Sequence, residues 1–172
     1  DIFLALGAGI TNLSPEKKGS ITTTIEQTYS PVAPEMVKKG KISWIRHEGF
    51  TYGVIPQQTS GDVKWNREER ATNWQRLCKA TEPETTVPVF QMEIVHGREI
   101  KDATYAYVVD CKGEFPQKIP AILANTPHLQ AAENPKGTKL GAVYFDTSVT
   151  AKGKFGTFRI SSPAALFAEK KD

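Results

Sequence analysis

Apolar residues recur at every second position in the middle of the chain. Phe90, Met92 and Ile94 alternate with their neighbours, and Tyr105, Tyr107 and Val109 do the same shortly afterwards. A period of two is that of a half-buried β-strand. The link between the runs, from His96 to Asp102, carries Gly97 and several charges, so it reads as a solvated connection. Two strands this close in sequence are most simply antiparallel neighbours.

The same pattern extends outward in both directions. Ile2 to Leu6 is a buried-type apolar run ended by Gly7-Ala8-Gly9, and Asn12 to Gly19 is a turn segment. Ile21 to Tyr29 is rich in β-branched residues, which suit a pleated surface. Pro31 and Pro34 mark a loop. Lys41–His47 and Phe50–Ile55 flank Glu48-Gly49 and predict a hairpin. The stretch from Gln57 to Pro88 is polar and predicts an irregular insertion, with a short strand at Asp62–Asn66 and a helical turn within Arg67–Lys79. Ile119, Ile122 and Leu123 have helical spacing, so a short helix is expected between Phe115 and Ala124, with Pro120 in its early part. Leu129–Glu133, Leu140–Phe145 and Gly156–Ile160 predict further strands, the first two joined by an Asn134-Pro135-Lys136-Gly137 turn, and Ser162–Phe167 is strand-like. Many short strands and one short helix predict an all-β fold, an antiparallel β-sandwich over residues 1–172.

Composition changes this picture little. The 172 residues suffice for one domain with a core, or for part of a larger one. A net charge of +3 tilts the chain mildly basic, which suits an acidic polymer without demanding one. No apolar run approaches the roughly 18–20 residues of a membrane span. Cys78 and Cys111 would close a loop of about 30 residues, worth about 3–4 kcal/mol if geometry permits a bridge. A chain that begins and ends in sheet-like sequence is expected to be a piece of a longer polypeptide.

Candidate chemistry is sparse. His47, His96 and His128 form no H-x-x-x-H or H-x-H pattern, and no Cys-x-x-Cys exists, so no metal or other cofactor is expected. No nucleophile elbow, P-loop or dinucleotide fingerprint is present. His96 beside Gly97 is a candidate base, or a strand-end hydrogen-bonding residue. The strongest binding feature runs from Trp65-Asn66-Arg67-Glu68-Glu69-Arg70 to Trp74-Gln75-Arg76. Trp65, Arg67, Arg70 and Trp74 suit stacking on sugar rings and pairing with carboxylate or sulfate; equally, they suit anchoring of an insertion. No nucleic-acid recognition motif accompanies them.

Four segments, in order, resemble polysaccharide lyase family 8, the enzymes that cleave chondroitin, hyaluronan and related uronate polymers. Ile2 to Ile10 is similar to that family's strand ending in an LGAGI- or GSNI-like turn. Ile21-Thr22-Thr23-Thr24-Ile25-Glu26-Gln27 is similar to its hydrophobic-x-T-T-x-x-Q strand. Trp44 to Tyr52 resembles its W-x-x-H-x-G-x-x-Y hairpin, and Ile94–Gly97 with Asp102–Tyr107 resembles its D-H-G and D-x-x-Y-x-Y pair. Together they cover most of residues 2–110.

The resemblance implies part of a galactose-mutarotase-like β supersandwich following an α-helical toroid, in a secreted or periplasmic lyase. Such enzymes act by β-elimination. A base removes the uronate C5 proton, an amide neutralises the carboxylate, and a tyrosine protonates the leaving oxygen. Those residues belong to the upstream toroid, so no catalytic set transfers to this segment, which is expected to be inactive alone. Two departures stand out. Val95 replaces the Asp before His-Gly, and Thr22 occupies the place of a Glu used by the broad-specificity branch. Glu26 shares the strand parity of Thr22 and is therefore a candidate on the same face. A non-catalytic carbohydrate-binding or structural sandwich is the competing reading, and a lyase for xanthan or alginate a third.

Overall fold

The computed structural model describes residues 2–39, 41–73 and 84–170. Trp74, Arg76 and Cys78 lie outside that set, so the stacking role expected of Trp74 and the Cys78–Cys111 bridge find no description in it. Cys111 itself is exposed.

A five-stranded antiparallel sheet lies at the centre of the fold. Its strands are β1 (Ile2–Ile10), β8 (Ala103–Asp110), β5 (Phe50–Val54), β4 (Ile42–His47) and β3 (Glu35–Lys39), in that spatial order. A three-stranded sheet packs on one face, ordered β2 (Ile21–Tyr29), β7 (Thr85–Gly97) and β6 (Asp62–Thr72). A four-stranded sheet follows, ordered β14 (Ala164–Glu169), β11 (Lys139–Tyr144), β10 (Leu129–Glu133) and β9 (Ala121–Asn125), with a small β12 (Ala151–Lys152) and β13 (Thr157–Phe158) pair beside it.

The two central runs form strands with the expected alternation, but they are not neighbours. β7 pairs with β2 and β6, whereas β8 pairs with β1 and β5. The link crosses between sheets, and it is pinned where Asn12 N–H donates to Ile100 O at 3.1 Å and Asp102 N–H to Thr11 Oγ1 at 3.1 Å. Phe90, Met92 and Ile94 therefore meet Tyr105, Tyr107 and Val109 face to face across the sandwich, with Ile45, Tyr52 and Val54 completing the layer. The pattern specified which faces are buried; it carried no information on pairing.

The opposite face of the central sheet buries Trp44, Ala106 and Val108 under Phe115, Ile119 and Ile122. Here the expected helix is replaced by an irregular, bent segment leading into β9. Pro116 and Pro120 disfavour helical backbone before them. In β9, Ile122 joins this cluster while Leu123 joins the core of the four-stranded sheet, the opposite-facing arrangement of a strand. The only helical element among the described residues is a 3₁₀ turn at Pro56–Gln58. β6 is also longer than expected, running as strand through Arg67–Thr72, and β3 forms where only a loop is predicted.

The β4–β5 hairpin forms as predicted. Glu48 at φ 47° and Gly49 at φ 81° both lie in the left-handed region, the requirement of a two-residue type I′ turn. The Asn134 turn forms too, its side-chain Oδ1 accepting from the N–H groups of Thr138 and Lys139 at 2.8 and 3.0 Å.

Candidate functional site

Glu26 sits on β2, and its direction is set by an irregularity that no alternation rule reveals. Thr24 pairs with Glu93, but Glu26 pairs with Met92, so Ile25 is an extra residue in a β-bulge. Before the bulge Thr22 and Thr24 face outward with Val95 and Glu93; after it Glu26 faces inward with Met92. Equal parity thus fails to place Glu26 beside Thr22. Instead Tyr52 Oη donates to Glu26 Oε2 at 2.8 Å inside the sandwich. Burial and this carboxylate push the Tyr52 phenol well above the usual tyrosine range. Such a phenol keeps its proton, so Tyr52 is a hydrogen-bond donor here and is not poised as a base.

His96 lies at the far end of β7 and is buried. Its Nδ1 is 2.5 Å from Ser60 O, and its Nε2 is 2.8 Å from Thr23 Oγ1. A carbonyl only accepts, so Nδ1 carries the proton and, in the neutral ring, Nε2 takes the Thr23 hydroxyl proton. Both ring nitrogens are occupied in tying β2, β7 and the Ser60 loop together.

His47 is held more tightly still, at 3% exposure, with its ring 4.5 Å from that of Phe90. Ser30 Oγ donates to Val32 O at 2.9 Å, so the 2.8 Å contact with His47 Nε2 has the imidazole as donor. Nδ1 is buried without a partner. Burial holds the His47 pKa below its ordinary value, which keeps the ring neutral. His128 is exposed, 3.4 Å from Asp146.

The β6 candidates divide between two faces. Trp65 pairs with Met92 and Arg67 with Phe90, placing both on the inward side at the sandwich rim. The Trp65 ring lies 6.5 Å from that of Phe90, and Arg67 Nε donates to Ser30 O at 2.9 Å. Both anchor β6 to the core. Arg70 lies opposite Val87 on the outer face, with Nε donating to Glu68 Oε1 at 2.7 Å and Nη2 to Gln91 Oε1 at 2.6 Å. Gln91 passes the chain on, its Nε2 donating to Glu93 Oε2 at 3.2 Å.

That outer face also contains polar residues that belong to none of the sequence motifs. Rows across the three strands read Thr24–Glu93–Lys64, Gln27–Gln91–Asn66 and Tyr29–Val89–Glu68. Polar residues at alternate positions of β7 were the available signal, but the bulge and the β6 register, which complete the rows, are invisible in one sequence. Among the described residues no group of three or more His, Cys, Asp or Glu side chains is arranged to hold a metal.

The sequence family described as polysaccharide lyase family 8, super-sandwich domain, matches residues 1–113. Chondroitinase-AC of Pedobacter heparinus is 28% identical, over 83% of this chain and 22% of that relative. A solved structure of chondroitinase AC lyase in oligosaccharide complexes superposes with a TM-score of 0.81 at 22% identity, covering 98% of this chain and 27% of that one. The Streptomyces coelicolor A3 chondroitin AC lyase in complex with chondroitin sulphate gives 0.75 at 19% identity, covering 99% and 23%. A Paenibacillus xanthan lyase gives 0.71 at 16% identity, covering 99% and 19%. The chain thus spans about a quarter of the length of these proteins or less. The family match spans residues 1–113, more than half of the chain, and it makes the assignment: this chain belongs to polysaccharide lyase family 8, through its super-sandwich domain.

Proposed function

We propose that the chain is the sandwich portion of a secreted or periplasmic lyase that cleaves a uronate polymer of the chondroitin or hyaluronan type by β-elimination. The observation that carries the proposal is the family match across residues 1–113. In this reading an upstream α-helical toroid supplies the amide, the base and the proton-donating tyrosine, and the sandwich forms one wall of the polymer cleft. The geometry supports that division of labour. His96 and His47 are buried in structural contacts, and Tyr52 is a high-pKa donor to Glu26.

The test is to incubate the polypeptide that carries this chain with chondroitin or hyaluronan and follow ultraviolet absorbance. Elimination leaves a 4,5-unsaturated uronate, which absorbs; the proposal predicts a steady rise. No absorbing product from any uronate polymer would refute it.

A second reading, a carbohydrate-binding sandwich without catalysis, draws on one observation: the described histidine rings that are buried are both held in the framework. Retained affinity for an acidic polysaccharide with no product release would favour it.

A further inference from the structure

We propose that the outer face of the β2–β7–β6 sheet is a saccharide-binding surface, selective for a uronate chain that carries carboxylates but no sulfate. The polymer class rests on the lyase reading above; the location rests on the arrangement of this face.

A groove of about 400 Å³ lies here, lined by the outward-facing Lys64, Asn66, Arg70, Gln91 and Glu93 and bounded at the edge strand by Trp65, whose ring turns toward Phe90. That is within the range of about 300–1,000 Å³ usual for ligand sites. Its floor is held in place before any ligand arrives. Glu68 fixes Arg70, Arg70 fixes the Gln91 carbonyl, and the Gln91 amide is spent on Glu93. Preorganised polar groups lose less conformational freedom on binding than mobile ones.

The unspent groups define the ligand. Lys64 and Asn66 make no side-chain hydrogen bond among the described residues, and Gln27 lies in the same row as Asn66. An ammonium and amides offer both donors and acceptors, and sugar hydroxyls require both. Tyr29, 57% exposed, stands one row along and offers an aromatic face to a sugar ring. The same rows on a flat, two-sided basic surface would suit any polyanion; these do not.

Charge supplies the selectivity. Lys64 and Arg70 share this face with Asp62, Glu68 and Glu93, and Arg70 is already paired with Glu68. Among the described residues of this face, one cation, Lys64, is left for one carboxylate. Glu93 lies directly across from it and repels a second anion brought alongside.

Calorimetric titration of the protein with unsulfated chondroitin hexasaccharide, and with its sulfated counterpart, tests the assignment. Lys64→Ala and Asn66→Ala are exposed changes on an edge strand, and Lys139→Ala on the four-stranded sheet is the control. The unsulfated chain is expected to bind about threefold or more tightly than the sulfated one. Each of the first two substitutions is expected to weaken it about tenfold, the loss of a charge-assisted or buried polar contact, with an unchanged melting temperature. The Lys139→Ala control is expected to bind as wild type. No binding, equal affinity for both chains, or wild-type affinity in both variants would overturn the proposal. Binding that disappears from these variants while the parent releases no unsaturated product would refute the lyase reading and leave this site standing. Product release with binding indifferent to the substitutions would do the reverse.

Discussion

Removing the Tyr52 hydroxyl tests the bulge that directs Glu26. If Ile25 is the extra residue, Glu26 points into the sandwich and accepts from Tyr52 at 2.8 Å. Tyr52 is only 3% exposed, so Tyr52→Phe leaves a half-buried carboxylate without its donor. A hydrogen bond to a charged group contributes about 1.5–3 kcal/mol net. Partial access of Glu26 to water favours the lower half of that range, so about 2 kcal/mol is expected. In urea, with m near 2 kcal/mol/M, the midpoint falls by about 1 M. A double-mutant cycle with Glu26→Gln should return a coupling of about 1–2 kcal/mol, because each change removes part of one contact. The pH dependence adds an independent readout. The folded pKa of Tyr52 is raised above the unfolded value of about 10, so its contribution is complete below pH 10 and falls as pH rises beyond it. Tyr52→Phe should lack that alkaline loss. A loss in Tyr52→Phe below about 0.5 kcal/mol, with zero coupling to Glu26, would refute the inward-facing carboxylate and restore plain alternation along β2.

Two glycines make opposite predictions. A Cβ on Gly53 would lie 2.5 Å from the buried Trp44 ring, so Gly53→Ala should destabilise by about 1–2 kcal/mol by denaturant melting. Gly141 has open space at that position, and Gly141→Ala should stabilise by about 0.5–1 kcal/mol by the same measurement. Phe90→Ala, at 0% exposure between both sheets, should cost about 3–5 kcal/mol and broaden side-chain signals across the sandwich. His47 has a folded pKa below its unfolded value, so stability is complete above about pH 6.5 and declines as pH falls through the folded pKa; melting curves of His47→Gln should be flatter over that interval.

Burial was more legible in the sequence than pairing. The alternation at 90–94 and 105–109 identified core side chains because side-chain direction follows strand period directly. It could not show that those strands belong to opposed sheets, since a crossing link and a long hairpin loop look alike in composition. The β4–β5 hairpin was legible because Glu48-Gly49 is a local signal. The helix expected near Ile119 failed because a spacing of three and four also fits an irregular segment and a strand that together feed two different cores. Glu26 was placed on the wrong face by a one-residue bulge, and the split of Trp65 and Arg67 from Arg70 follows from β6 continuing as strand. The polar rows on the outer face depend on three registers at once, which no single segment encodes.

Mass spectrometry of the products formed by the polypeptide that carries this chain tests the central claim most directly. Elimination breaks the glycosidic bond without adding water, so each new non-reducing end should be a uronate one water lighter than the saturated sugar. Oligosaccharides ending in saturated uronate would mean hydrolysis, and unchanged polymer would mean no cleavage; either result would contradict the account.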